Sequence, residues 1–369
     1  MILFLHNRYR TPGGEERVVD DLMWLVREHL GEESQLFERD SAVTSSVRAA
    51  AGLLRGGLDP DVLAAAVKTS GARVVHAHNL LPSLGWRALA AARAAGARTV
   101  LHLHNYRLVC AVGTCVNSRG VDCTRCHGRD TRQGVRLNCR DNAAEAVTYA
   151  AAISRWQERM IEHADAVVVP SQAALDRLVA LGAPLPTDVH VIGHPIREFA
   201  AAPVSGGGYA LVTSRLAREK DVRTAVEACQ IAGIELVIAG DGPLADELRA
   251  NAGPGVRFAG RVDAAELARL RAGAQVVLAP SLAHETFGLA ALEAMAAGVP
   301  VVAARVGALA ELGSGATLVE PANPKAMAAA IAEVAGDPSA GKRALRLARE
   351  VAAPDLIAER LRPVYDGPR

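Results

Sequence analysis

Aromatic side chains make up only 4% of the 369 residues, too few for a base-stacking platform to be a leading idea. Charge of either sign is barely in excess: 41 basic residues against 40 acidic ones leave a formal +1, which gives no global attraction to nucleic acid or an anionic membrane. No apolar run reaches the ~20 residues needed to span a bilayer, because Glu293, Gly298 and Pro300 interrupt the most hydrophobic region. The opening MILFLHNRYR has too short an apolar run, with its charge on the wrong side, for a signal peptide. These absences point to a cytoplasmic protein without a transmembrane segment. Its six cysteines are then expected to be reduced, so their clustering needs an explanation other than disulfides.

Half the residues are hydrophobic, and the length suits two domains of ordinary size. An apolar strand at Ile2 to Leu5 runs into a Gly-rich loop and then a helix with Val18, Val19, Leu22, Leu25 and Val26 on one side. Strand-like segments follow around Leu36-Phe37, at Arg73 to Ala77, Thr99 to Leu103 and Ala166 to Val169, the last reading as the final strand of this domain. Helical patterns lie between them, the one over Ala49 to Leu63 being broken by Gly56-Gly57 and Pro60. Such alternation implies a parallel sheet covered on both faces. Ala200 to Gly208, small and Gly-rich, is the linker candidate. A second alternating domain has strands at Tyr209 to Thr213, Glu235 to Ala239, Val256 to Ala259, Gln275 to Ala279, Val299 to Ala303 and Thr317 to Val319. The fold class is therefore α/β, with two doubly wound parallel-sheet domains.

One region breaks the alternation. Between Asn105 and Cys139 the sequence is polar, rich in Gly and Arg, and holds Cys110, Cys115, Cys123, Cys126 and Cys139. Cys123-x2-Cys126 is one jaw of a zinc site, and two further thiolates would complete a tetrahedral structural centre. Cys115 could replace Cys110 in that set, and His127 is a weaker alternative. Free thiols in an irregular loop are the bland reading. The same loop carries Arg107, Arg119, Arg125, Arg129, Arg132, Arg136 and Arg140, so a zinc-containing nucleic-acid module is a non-enzyme alternative. It explains nothing about the two alternating domains. A basic lid near an anionic substrate, or a solvated surface, explains the arginines as well.

The second domain is organised around Pro280 to Ala304. The strand at Gln275 to Ala279 leads through a loop with His284 and Glu285 into a helix expected over Thr286 to Ala297 and closed by Gly298. Glu285 and Glu293, eight residues apart, would then lie roughly 12 Å apart along the helical rise, about the span from a sugar across a diphosphate to a ribose. The helix N-terminus between them offers free N–H groups to an anion. Arg215 and Lys220 sit just past the first strand of this domain, where parallel sheets bind ligands, and could hold a diphosphate. Gly13-Gly14, after the first strand of the chain, reads as an N–H nest or as a plain turn. His78 and His104 each end a strand.

The stretch E-T-F-G-L-A-A-L-E-A-M-A-A-G-V-P-V-V-A resembles the E-x7-E donor motif of retaining, family 4 type glycosyltransferases of the GT-B fold. The resemblance covers nearly the whole chain, most strongly 206–319. It implies two Rossmann-like domains: 1–199 on the acceptor side with a Cys-rich insert at 105–141, and 200–350 binding a UDP- or GDP-sugar, with a helix at 351–369 returning to the first. It implies donor contacts at Gly13, Gly14, Arg215, Lys220, Gly240, Val262, His284, Glu285, Thr286, Phe287, Gly288, Leu289 and Glu293. Catalysis would fall to His104, Arg215, Lys220 and Glu285, with Glu15, Glu16, His78 and His104 on the acceptor side. Retaining hexosyl transfer by front-face displacement is the implied reaction, with no metal expected in catalysis. Some family members that begin with a similar NRY-PGGEE segment carry cysteines matching Cys110, Cys123, Cys126 and Cys139, and this resemblance favours that set for a structural zinc. VIGHPI stands where the family more usually has a Pro-Asn segment.

The acceptor is expected to be a small-molecule natural product. Glu15, Glu16 and Asp40 would suit an aminocyclitol, and the alternative is a surface or exopolysaccharide glycan. Another enzyme class is also written in the chain: Gly240-Asp241-Gly242-Pro243-Leu244-Ala245 satisfies G-x-G-x-x-A after a strand, with Asp263 at the distance of a ribose contact, so an NAD(P)-dependent oxidoreductase is the runner-up. Asp263-x-x-Glu266 also reads as a capping box.

Overall fold

The computed structural model describes residues 1–10, 13–118, 120–203 and 207–367. Arg119 of the basic loop and Val204, Ser205 and Gly206 of the linker lie outside them, as do Thr11 and Pro12 beside the first glycine pair. Two compact units emerge: Met1–Pro195 together with Pro354–Arg369, and Ile196–Ala353.

The first unit is built on six parallel strands, β1 (Ile2–Arg8), β2 (Ser34–Asp40), β3 (Val74–Ala77), β4 (Arg98–His102), β5 (Ala166–Val169) and β6 (Val189–Val191), in the order β2-β1-β3-β4-β5-β6. β1, β3, β4 and β5 are buried almost throughout, which is why they read as continuous apolar runs rather than alternating ones. Two differences from the sequence reading stand out. β1 runs on to Arg8, because β2 pairs with it along its whole length, Arg8 opposite Asp40. Ala166–Val169 is not the last strand, since Val189–Val191 adds beside it; three half-buried residues, VHV, give too short a period to find. The helical stretch around Gly56-Gly57 resolves into two helices, Ser46–Arg55 and Pro60–Ser70, the first ended by Gly56 at φ 73°.

The last helix, Pro354–Asp366, packs within this first unit. The Tyr365 hydroxyl meets His76 Nδ1 at 2.8 Å, Arg98 Nε donates to the Val364 carbonyl at 2.7 Å, and Arg73 Nη1 donates to the Tyr365 carbonyl at 3.1 Å. Tyr365 is 2% exposed.

The second unit repeats the plan with β7 (Tyr209–Thr213), β8 (Glu235–Ala239), β9 (Val256–Gly260), β10 (Ala274–Ala279), β11 (Val301–Ala304) and β12 (Thr317–Val319), all parallel, ordered β12-β11-β10-β7-β8-β9. In both sheets the strand order reverses beside the unit's first strand, between β1 and β3 and between β7 and β10. The carboxyl ends of strands at such a reversal are where an open α/β sheet leaves room for a ligand. Among the described residues no helix is long and apolar enough to cross a membrane.

Candidate active site

The strand reversal in the second unit brings together what the sequence placed 60 and more residues apart. After β7, Arg215 and the short 3-10 turn Arg218–Lys220 face the loop that follows β10. That loop is tied down by backbone: the N–H groups of Leu282 and Ala283 donate to the Glu219 carbonyl at 2.9 and 3.1 Å. Lys220 Nζ then lies 2.5 Å from Glu285 Oε1, and Ser281 Oγ lies 2.8 Å from the same oxygen. Burial raises the Glu285 pKa, but the Lys220 ammonium and the Ser281 hydroxyl outweigh it and hold the carboxyl below its ordinary value. Arg215 pairs with Glu219 and keeps half its side chain in solvent.

The helix after Glu285 begins at Leu289 rather than Thr286 and runs to Ala296. Gly288 is its N-cap at φ 76°, and a Cβ there would sit 2.8 Å from Leu309 Cδ2, so only glycine turns the chain at this point. The 12 Å helical spacing from Glu285 to Glu293 therefore does not apply, since Glu285, Thr286 and Phe287 precede the helix. The N-terminus still falls between the two acids; the Ala291 and Leu292 N–H groups donate to the Gly288 carbonyl at 3.0 and 3.1 Å, which leaves those of Leu289 and Ala290 ahead of the first helical bond. Phe287 is 7% exposed and packed in the core, so it can serve a ligand only through its backbone. Thr286, His284 and Val262 are half-buried, and Leu289 opens the helix. Glu293 is paired with Arg271 of the helix Ala264–Ala272. Neither Arg271, Glu219 nor Ser281 was picked out from sequence; Ser281, four residues before Glu285, carried the only usable signal.

The G-x-G-x-x-A match has a different explanation. A Cβ on Gly240 would lie 1.8 Å from the Ser214 carbonyl oxygen, and one on Gly242 would lie 2.4 Å from that of Leu216. Backbone bonds from Leu216 N–H to Asp241 and from Leu244 N–H to Leu216 lock the two loops together. These glycines let the β8 loop back the Arg215 loop. Asp263 caps its own helix, accepting from Glu266 N–H at 2.8 Å, while the Glu266 carboxylate turns to Arg269, so the capping box is only half made. Gly240→Ala is expected to destabilise the protein by about 1–3 kcal/mol through backbone strain alone and to weaken phosphate-ligand binding with it. Urea unfolding beside a ligand titration would check this, an unchanged midpoint counting against the close-packing argument.

In the first unit, the ends of β1, β3 and β4 gather histidines. His78 Nδ1 lies 2.6 Å from His104 Nε2, and His102 Nδ1 lies 3.3 Å from His76 Nε2. His194, from the VIGHPI segment, joins against His102 and His104 at ring distances of 5.3 and 5.1 Å. Burial lowers all five: His76 and His194 to about 3, and His78, His102 and His104 well below 6.5. Nitrogens of His76, His78 and His102, and of His102, His104 and His194, fall within 4.8 Å of one another. Yet His76 and His102 stack at an interplanar angle of 8°, so their in-plane lone pairs run side by side instead of converging. The arrangement favours a neutral hydrogen-bonded stack over a metal centre.

The acidic residues near Gly13 are engaged within the unit. Glu16 accepts from the N–H groups of Gly13 and Tyr9 at 2.7 and 3.0 Å, which occupies the Gly13 donor of the expected nest and leaves Gly14 opening the helix Gly14–Leu30. Glu15 accepts from the Tyr9 hydroxyl at 2.8 Å, and burial pushes its carboxyl up. Asp40 accepts from Ala42 N–H at 2.7 Å. The three carboxylates offered to an amine-bearing acceptor thus have partners already. The five insert cysteines surround one small cavity; among the described residues, though, the metal-competent groupings within 4.8 Å are all histidine ones, so Cys110, Cys123, Cys126 and Cys139 are neighbours without being drawn to ligand distance. The segment also holds a short helix, Arg132–Arg136, and two isolated bridges, Val116 to Asp122 and His127 to Asp130, where sequence periodicity showed nothing.

Two family models match the chain: a glycosyl transferase 4-like domain over residues 9–194 and glycosyl transferases group 1 over 208–337. A glycogen synthase of Mycobacterium tuberculosis is 33% identical over 217 residues, covering 54% of this chain and 51% of the relative; the chain thus spans about half the length of such curated relatives. Among solved structures, sucrose-phosphate synthase from Thermosynechococcus elongatus aligns over 99% of this chain and 98% of its own, with TM-score 0.71 and 19% identity. Anabaena HepE in complex with UDP-glucose aligns over 99% of both chains, with TM-score 0.61 and 18% identity. At these identities the structures speak to the fold, two parallel α/β sheets of GT-B type.

Proposed function

Since the chain belongs to the glycosyltransferases, of the 4-like and group 1 kind, we propose that it moves a hexosyl group from a nucleoside diphosphate sugar to an acceptor hydroxyl with retention at the anomeric carbon. The observation that carries this reading is the convergence of Arg215, Lys220, Glu285 and the N-terminus of Leu289–Ala296 at the strand reversal of the second unit. Two cations and a helix N-terminus suit a diphosphate, and a carboxylate beside them suits sugar hydroxyls. Glu293, at the far side of the helix start, takes the ribose.

In the front-face reaction, the bond from the anomeric carbon to the diphosphate oxygen breaks as the acceptor oxygen bonds the same face. The acceptor proton passes to the departing phosphate oxygen. Arg215, Lys220 and the helix dipole stabilise the negative charge that grows on that phosphate. His104 and His78, neutral in their buried stack, act as hydrogen-bonding groups on the acceptor side rather than as cations. With Glu15, Glu16 and Asp40 engaged elsewhere, the acceptor is assigned only as a hydroxyl. A screen of small-molecule and glycan acceptors, scored by nucleoside diphosphate release, identifies it.

A thermal-shift comparison separates this function from the oxidoreductase. UDP or GDP should raise the Tm, as any native-state ligand does, by about 2.7 kcal/mol of stabilisation at a hundredfold excess over Kd. NADH and NADPH should leave it unmoved. Saturable NADH binding with indifference to every nucleoside diphosphate would end the glycosyltransferase reading.

A further inference from the structure

We propose that the insert of the first unit binds one structural zinc ion through Cys110, Cys123, Cys126 and Cys139. The first support is convergence: these four thiols and Cys115 line a single cavity closed by Val112, Val116, Gly134 and Leu181. Cysteines from four separate turns of an irregular segment share one space there.

The second support is the backbone around them. Cys123 N–H donates to the Cys115 carbonyl at 2.8 Å, Cys110 N–H to that of Tyr106 at 2.8 Å and Cys139 N–H to that of Gly134 at 3.0 Å. Main-chain hydrogen bonds thus hold the turns that carry the thiols around the cavity, where four thiolates could meet one zinc ion.

Cys115 shares a side-chain hydrogen bond with Cys110 and differs from the other four cysteines of the insert in having a cationic partner as well. It is 1% exposed, and its sulfur is hydrogen-bonded by Arg177, which also donates to Asp122 Oδ1 at 2.6 Å. The guanidinium thereby places positive charge beside a centre that would carry two negative charges, four thiolates on one divalent cation. On binding, the four thiols release four protons to solvent and form four Zn–S bonds. The sulfurs are not grouped in threes within 4.8 Å, so the ion draws them in, mainly by rotation of Cys123 and Cys139, the two half-buried thiols.

Metal analysis of the full chain, purified without added metal, should find about one zinc per chain. Replacement by Co(II) should give the intense visible bands of a tetrahedral thiolate site, a readout independent of activity. Cys123→Ser and Cys126→Ser should lower zinc content at least severalfold, and Cys115→Ser and Cys229→Ser should leave it unchanged. Mercurial release of zinc from the unmutated protein should open the insert to protease, which keeps the idea testable if the serine variants fold poorly. Metal-free protein with an ordered, protease-resistant insert and no Co(II)-thiolate spectrum would overturn the proposal. Zinc lost from Cys115→Ser but kept in Cys110→Ser would overturn this ligand set.

Discussion

Glu285→Gln is expected to lower turnover by about two to three orders of magnitude while free UDP or GDP binds nearly as well as before. The carboxylate accepts from Lys220 and Ser281, and the amide removes its charge without opening a hole, so the loss reports electrostatics and orientation rather than packing. Lys220, released from its partner, remains available to a phosphate. Glu293→Ala should behave in the opposite way. It removes the proposed ribose contact and leaves Arg271, only 9% exposed, with less compensation, so nucleotide and nucleotide-sugar affinity should both fall, by about 2 kcal/mol or roughly thirtyfold. Isothermal titration with the free diphosphate, beside steady-state kinetics, separates the two. Equal loss of free nucleotide affinity in both variants would contradict the assignment of one acid to the sugar and the other to the ribose.

The protein is also expected to be acid-labile well above the range in which carboxylates titrate. Burial holds His76 and His194 near 3 and keeps His78, His102 and His104 well below 6.5. In the unfolded chain each titrates near ~6.5. Below that pH the unfolded state takes up protons that the native state refuses, so the stability present above pH ~6.5 is lost as the pH falls, by about 1.4 kcal/mol per unit per histidine. The decline continues toward the folded values, about 3 for His76 and His194. Five such groups acting together make a fall of one to two units comparable with the whole stability of a typical domain. The urea midpoint should drop steeply between pH 7 and 5.5, and His102→Asn should make that drop shallower. A flat profile over the window would mean that the histidines reach solvent or find charged partners when protonated.

The strands and their alternation were legible because both sheets are buried on two faces, so each central strand announces itself as an apolar run. The meeting of Lys220 with Glu285 was legible for a similar reason: Arg215, Lys220 and Glu285 follow strands that lie on either side of the strand reversal, where such a sheet leaves room for a ligand. What could not be read was pairing across space. Nothing in the sequence says that Glu16 caps Gly13, that Arg271 meets Glu293, or that His194 completes a stack begun by His76-x-His78 and His102-x-His104. The helix start at Leu289 was missed because Thr286 and Phe287 continue the apolar period, and only the left-handed turn at Gly288 interrupts it. Val189–Val191 was missed because a three-residue strand has no period at all.

The placement of Pro354–Asp366 within the first unit sets an order of assembly. The second unit, Ile196–Ala353, is a continuous piece of chain and has all its strands once Val319 has been synthesised. The first unit is interrupted: its six strands are made early, but Tyr365, Val364 and the contacts they give His76, Arg73 and Arg98 arrive only after the second unit has been translated in full. For roughly 160 residues of elongation, some tens of seconds or less at ordinary synthesis rates, the histidine stack lacks the hydroxyl that anchors His76. The earliest-made half of the protein is thus the last to be finished.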